Sequence, residues 1–351
     1  MSPALKSMCP SLLALGLVAL AAGRVPASDQ AVRAVLLSGQ NNHDGKATTE
    51  DVATGPWQWR REEATLALVG PSGPLWTFRH DPALDAAYFH PVATADGRVL
   101  TWDRPADHVW HHGLWFSWKF INRVNYWEID AETGRPAGRT SWSNVRIETD
   151  DDGTARITLD LAYRPAGQDV AVLTEERTIQ TRPPDAEGTW SMDWTSTFRA
   201  ARQVVLDRTP LPDEPGGQTW GGYAGLSLRL AEDLIERRIV SSDGPITEMP
   251  QDRHRGRHTA VDYSGFIGGR PAGIAILDHP SNPRSPSPWY VIRSPEMSFY
   301  SPAVLCYEPL TLEAGERLAL RYRVIVHDGR WDAGRLDAEH SSYAQETGDT
   351  K

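Results

Sequence analysis

Cysteine is nearly absent from this 351-residue chain, which carries only Cys9 and Cys306. Two thiols cannot build a disulfide framework or a cysteine-based zinc site, so the fold has to rest on buried apolar surface. Lysine is almost as scarce, confined to Lys6, Lys46, Lys119 and Lys351. With 36 Lys+Arg against 46 Asp+Glu the formal net charge is −10, a balance that argues against nucleic acid or an anionic membrane as partner. After the first 23 residues no apolar run approaches the roughly 20 residues that a spanning helix needs. The GxxxxGK(S/T), HExxH and GxSxG signatures are all missing, and no cofactor is expected. What the chain has in excess is tryptophan. It carries 14, five of them (Trp102, Trp110, Trp115, Trp118 and Trp127) within 26 residues. Hydrophobic residues at 40% and charged residues at 23% describe a globular protein rather than a disordered one.

The N-terminus reads as a secretory signal over residues 1–27. Lys6 supplies a positive start, Ser11 to Gly23 an apolar stretch, and Val25-Pro26-Ala27 small residues before a cut. Loss of that segment with Lys6 and Arg24 takes the net charge from −10 to −12 and leaves Cys306 as the sole thiol. The expected location is outside the cytoplasm, periplasmic or extracellular, with no membrane contact after cleavage.

Residues 28–56 read as a leader, 57–330 as one domain and 331–351 as a C-terminal tail. From Trp57 onward the pattern has period two. Ile157, Leu159, Leu161 and Tyr163 alternate with polar residues, as do Trp190, Met192, Trp194 and Phe198, and then Leu318, Leu320, Tyr322, Val324 and Val326. Such alternation marks half-buried antiparallel strands. Turn signals at Asp96-Gly97, Asp151-Asp152-Gly153, Gly216-Gly217 and Ala314-Gly315 separate them. Only Glu232 to Arg237 and Gly334 to Gln345 suggest helix. A dozen or more strands without helices between them predict an all-β fold, a large antiparallel β-sandwich.

Three stretches concentrate chemistry. In Asp107 to Trp127, three histidines (His108, His111 and His112) lie within five residues beside Asp107 and among tryptophans. Histidine exchanges protons near neutral pH, and clustered histidines can also hold a metal ion. Aromatic planes beside polar groups suit sugar rings, while a structural role, turn caps over a Trp-filled core, is open for each residue. Leu277 to Arg293 follows an expected strand Ala272–Leu277 and is dense in proline. It reads as a long rigid loop presenting Asp278, His279, Asn282, Arg284, Trp289 and Tyr290. Glu308 ends an apolar stretch just before Pro309, where apolar walls would raise its pKa; a rim position in water is the alternative. Tyr223, Asp262 and Tyr263 stand at Gly-flanked positions. Arg253 to His258 is a basic run suited to an anionic group or to a solvated loop.

Residues 31–50, AVRAVLLSGQNNHDGKATTE, resemble the opening strand and loop of a ThuA-like domain, truncated at Glu50. The blocks DHVWHHGLWF (107–116), GGYAGLSLR (221–229), DYSG (262–265), LDHPSNPRSPSPWY (277–290) and EPLTLEAGERLALRYRVIVHDG (308–329) resemble a bacterial family catalogued as methane oxygenase PmoA-like, a domain of unknown function. The label itself does not suit a chain without spanning segments. The closing Glu308 pattern also looks like the galactose-mutarotase-like supersandwich. That resemblance implies Glu308 as base, a member of the His108/His111/His112 cluster as acid, and Asp278 or His279 holding sugar hydroxyls.

The expectation is therefore an exported carbohydrate-active enzyme, an epimerase, lyase or hydrolase working by His/Glu acid–base chemistry on a sugar or glycoside. Its expected catalytic residues are His108, His111, His112 and Glu308. Trp115, Tyr223, Asp262, Asp278, His279, Asn282, Trp289 and Tyr290 are expected to bind substrate, with Trp115 and Trp289 as the sugar platform. A non-catalytic carbohydrate-binding protein and a metal-dependent enzyme using His108, His112 and His279 are the alternatives.

Overall fold

The computed structural model describes residues 56–346. The expected signal and the ThuA-like stretch lie outside the described residues. The expected large antiparallel β-sandwich is what the chain forms. One nine-stranded sheet runs in the order Gln58–Glu62, Thr65–Gly70, Gly73–Arg79, Tyr88–Val92, Leu114–Ser117, Gly225–Arg229, Ser298–Pro302, Pro288–Arg293, Arg253–Arg257. The other runs Gly244–Pro245, Ile235–Ser241, Ala260–Ile267, Arg270–Asp278, Arg317–Asp328, Trp190–Ala200, Leu173–Arg182, Ala155–Pro165, Gly138–Thr149. A four-stranded ribbon, Leu310–Leu312, Val204–Asp207, Phe120–Ile121 and Val124–Asn125, completes the strands.

The period-two residues face inward and fill the space between the two large sheets. Trp190, Met192, Trp194 and Phe198 are buried there with Leu318, Leu320, Tyr322, Val324 and Val326, against Leu66, Trp76, Phe78 and Phe89 of the facing sheet. Phe89 and Trp194 meet edge-on across the gap, ring centres 6.2 Å apart. The turn segment before Ile235–Ser241 is not helical as expected. Leu234 and Ile239 face the core and Glu236 takes a positive φ of 47°, so the stretch bends into a strand instead. The tail does form a helix, Ala333–Glu346, whose Leu336 and Tyr343 pack on Val240, Ala275, Leu277 and Ile325 on the outer face of the second sheet.

The outer face of the first sheet is also covered, which sets up the site. Alternation puts Leu114, Phe116, Val291 and Tyr300 into the sandwich core. It turns Trp115, Tyr290, Ile292 and Phe299 outward, where they form a second apolar cluster with Tyr88, Trp127, Leu211, Tyr223 and Cys306.

Candidate functional site

The outward cluster is a floor of packed rings. Trp115 and Trp127 lie 5.5 Å apart, Trp127 and Tyr223 5.0 Å, and Tyr223 and Tyr290 5.7 Å. Above it opens a cleft of about 340 Å³ lined by Trp110, Trp127, Trp220, Tyr223, Tyr290 and Phe299, with His108, His111, Glu128, Arg253, Ile292 and Met297 between them. That volume lies within the roughly 300–1,000 Å³ of small-molecule sites.

The His block reaches the cleft through a tight turn. The His111 N–H donates to the His108 carbonyl at 2.9 Å, and Gly113 follows at φ +75°. A Cβ at Gly113 would stand 2.7 Å from the Phe89 carbonyl oxygen, so only glycine lets the chain pass this close to the neighbouring strand. On the other wall Asn125 shapes the loop. Its Oδ1 accepts the N–H groups of Trp127 and Glu128 at 2.8 and 3.2 Å, an Asx turn that sets both side chains over the floor.

Two charged assemblies and one buried imidazole result. Arg229, wholly buried, donates to Asp107 at 3.0 and 3.2 Å, and Asp107 Oδ2 lies 2.8 Å from His108 Nδ1. Burial pushes the Asp107 carboxyl up, but His108 and Arg229 outweigh it and hold it below the usual carboxylate value. Glu128 accepts from Lys119, from Tyr223 Oη at 2.7 Å and from Asn125 Nδ2 at 2.6 Å. Burial again pushes upward, and these partners bring the net pKa below the ordinary value, so Glu128 is ionised. His111 is stacked between rings, 4.7 Å from His108, 5.0 Å from Trp115 and 5.3 Å from Phe299. Burial first, then the neighbouring histidines and Arg229, drives its pKa well below 6.5, and its buried Nδ1 has no hydrogen-bond partner among the described residues. It is a neutral imidazole.

Of the residues expected from sequence, the cleft brings together His108, His111, Tyr223 and Tyr290. The others stand elsewhere. His112 points away from the cleft into a pair of carboxylates, Asp85 at 3.1 Å and Asp103 at 3.3 Å. Burial lowers its pKa, but those two bonds outweigh burial and raise it. Trp115 lies beneath the cleft in the ring floor, 1% exposed. Trp289 is in the sandwich core with its indole N–H on the His258 carbonyl at 2.8 Å, because Pro288–Arg293 is a strand and not the end of a loop. Neither is a sugar platform.

Asp262 is wholly buried on His327 at 2.9 Å. Asp278 is closed off by Asn282 Nδ2 at 2.7 Å and by Ser287 N–H and Oγ at 2.9 and 2.7 Å. Asn282 also bridges the Arg321 backbone, and His279 accepts from Ser281 and meets the Tyr343 ring. Glu308 is a rim residue, its side chain 64% exposed and 3.4 Å from Arg284 Nε, and it does not line the cleft. The metal set His108, His112 and His279 is dispersed among these three settings. Among the described residues no group of three or more His, Cys, Asp or Glu is arranged to hold a metal ion.

Sequence reasoning missed Glu128, Lys119, Arg253, Trp110, Trp127 and Trp220 as parts of one site. The Asn125-x-x-Glu128 spacing of an Asx turn was the one local signal for Glu128; Lys119 and Tyr223 reach it through the fold.

A family model described as a family of unknown function, DUF6807, matches residues 67–341. No curated protein matches the sequence. Among solved structures, the galactosidase domain of the α-galactosidase–sucrose kinase AgaSK superposes at 10% identity and TM-score 0.34, over 78% of this chain and 41% of that one. A candidate aldose 1-epimerase from Klebsiella pneumoniae superposes at 10% and 0.35, over 82% and 84%. A galactose mutarotase-related enzyme from Lactobacillus acidophilus does so at 9% and 0.24, over 77% and 97%. This chain thus spans less than half of the galactosidase domain chain. Scores this low assign no substrate or reaction.

Two of the sequence resemblances need correction. The methane oxygenase PmoA-like label gives way to the DUF6807 match and to an all-β sandwich, in whose described residues no helix is long and apolar enough to cross a membrane. The mutarotase-like likeness reduces to the antiparallel sandwich, and its carry-over of Glu308 as base does not fit, because that carboxylate lies on the rim outside the cleft.

Proposed function

The chain belongs to the DUF6807 family, and from that premise we propose a carbohydrate-active enzyme that moves protons on a sugar held in the aromatic cleft. The observation that carries this reading is the Arg229–Asp107–His108 chain opening onto a ring-lined cleft that also holds ionised Glu128. Asp107 on Nδ1 fixes the His108 tautomer, leaves Nε2 for the substrate and stabilises the imidazolium that forms when the ring takes a proton, the logic of an oriented general base. Burial holds the pKa of His111 beneath it well below the ordinary value, so His111 does not compete for that proton. Glu128 supplies the second proton-accepting group, and the rings of Trp110, Trp127 and Trp220 offer faces for sugar C–H groups.

Glycoside hydrolysis ordinarily uses two carboxyl groups flanking the bond, and among the described residues Glu128 is the one carboxylate lining this cleft. The arrangement therefore suits epimerisation or elimination better than hydrolysis. The test is a screen of sugars and glycosides by NMR with the purified protein. His108→Ala and Glu128→Gln should each lower turnover about 10²- to 10⁴-fold, and full turnover by both variants would sink the assignment. Sugar binding without product, unchanged by His108→Ala, would instead identify a non-catalytic binding protein.

A further inference from the structure

Among the described residues, every charge lining the cleft is matched except one. Glu128 pairs with Lys119, and His108 with Asp107, itself held by Arg229. Arg253 has no such partner. Its Nε donates to Tyr290 Oη at 3.2 Å and its Nη1 to the Gln251 carbonyl at 2.6 Å, and among the described residues no carboxylate lies within ion-pair distance. Of five guanidinium N–H groups, these bonds use two, on Nε and Nη1, and the Nη2 amino group has no partner among the described residues. The chain as a whole is acidic, net −10, so an unmatched cation beside its cleft is not the overflow of a basic surface.

The local backbone is built to hold that cation. Gln251 and Asp252, both non-glycine, take consecutive left-handed conformations, φ 54° and 61°, immediately before Arg253. Such residues persist where the surroundings over-determine them, often at functional sites, and here the turn places the Gln251 carbonyl on the guanidinium. Two residues on, Arg255 packs over the Tyr290 ring at 5.0 Å and donates to the Thr219 and Gly221 carbonyls at 2.7 and 2.8 Å, anchoring the loop that carries Trp220. The basic run therefore belongs to the cleft, with alternate arginines of one edge strand fixing its cation and its aromatic wall.

We propose that the cleft takes a uronic acid, with the sugar carboxylate on the Nη2 amino group of Arg253. A guanidinium N–H bonded to a carboxylate makes a charge-assisted hydrogen bond about twice as strong as a neutral one. Neutralising that carboxylate also acidifies the ring C–H beside it, giving the His108/Glu128 pair a proton to remove. The inference rests on the sugar-cleft reading above and can fail separately from it.

The test is calorimetric titration of the full chain with glucuronate and galacturonate, their neutral parent sugars, and a sulfate ester of one parent. A uronate bound at least tenfold tighter than its parent, with the preference lost in Arg253→Gln at an unchanged melting temperature, supports the proposal. Equal affinity for uronate and parent, or a preference that Arg253→Gln leaves intact, overturns it while the sugar reading stands. A sulfate ester bound as tightly as the uronate overturns the carboxylate assignment. No saturable binding of any of these sugars overturns the sugar reading and the inference together.

Discussion

Two segments of this protein begin with the same dipeptide and end in opposite roles. Asp107-His108 opens the His block and Asp278-His279 opens the Pro-rich loop. In the first, the carboxylate takes both oxygens to the buried Arg229 and shares Oδ2 with the Nδ1 of a histidine that lines the cleft. In the second, the carboxylate is consumed by its own loop through Asn282 and Ser287. Arg284 likewise donates to the carbonyls of Val304, Glu308 and Pro309. Electrostatics follow the partners. Burial pushes Asp107 up, but its bonds to His108 and to the Arg229 guanidinium outweigh that and its pKa falls; burial of Asp278, with only neutral donors to counter it, leaves its pKa raised. Polar density in a sequence therefore does not locate a site; unspent valence beside a cavity does.

The largest expected effect comes from breaking the first segment. Asp107→Asn removes the group that orients His108, and turnover on the sugar identified by the screen should fall about 10²- to 10⁴-fold, roughly 3–5 kcal/mol of transition-state stabilisation. Steady-state kinetics measure it, and a variant with unaltered turnover would put Asp107 outside the mechanism.

Asp278→Ala tests the second segment and should do the reverse. It leaves the Ser287 N–H and hydroxyl and the Asn282 amide without their buried acceptor, at a cost of about 3 kcal/mol in unfolding free energy. Urea denaturation measures that loss, and sugar affinity of the folded protein should be unchanged. A weakened affinity at full stability would return the Pro-rich loop to the site.

Within the first segment, His111 and His112 sharpen the contrast on a smaller scale. The unfolded chain protonates histidine near 6.5, whereas folded His111 does so only well below that. Its contribution to stability is complete above about 6.5 and is lost as pH falls toward the folded value. His112 has the opposite sign. Its folded pKa is raised, so its contribution is complete below about 6.5 and is lost as pH rises through the folded value. His111→Phe keeps the stacked ring but removes the titration. Chemical denaturation at pH 5 and pH 7.5 should then show a smaller loss of stability on acidification than in the unaltered protein. An unchanged or steeper loss would mean that His111 is not held neutral.

The sandwich was legible because its code is periodic. Trp190, Met192, Trp194 and Phe198 alternate with Ser191, Asp193, Thr195 and Thr197, and one face had to be buried. The site was legible only where its residues are neighbours in sequence, as in the His block. Glu128 acquires its role from Tyr223, 95 positions away, and Arg253 from Tyr290, 37 positions away. No local pattern encodes such meetings. Trp289 misled for a related reason. The prolines before it suggested a loop, but the strand Pro288–Arg293 begins at the last of them and turns Trp289 into the core.

Glu308 gives the smallest expected effect and the cleanest separation of sequence pattern from site. Its neighbours, Ala303 to Cys306, are buried, which made a raised carboxyl plausible, yet the chain emerges at Tyr307 and leaves the Glu308 side chain in water. The backbone there serves the loop, since the Glu308 carbonyl accepts from Arg284 Nη1 at 2.8 Å, a bond that Glu308→Gln preserves. Only the side-chain ion pair with Arg284 is lost, and exposed pairs contribute little. Unfolding free energy should change by less than about 0.5 kcal/mol and turnover by less than about twofold, against the 10²-fold or greater loss expected of a proton-transfer group. A turnover loss of that larger size in Glu308→Gln, with stability intact, would show that the rim carboxylate reaches the substrate and that the cleft described around Glu128 is not where the chemistry occurs.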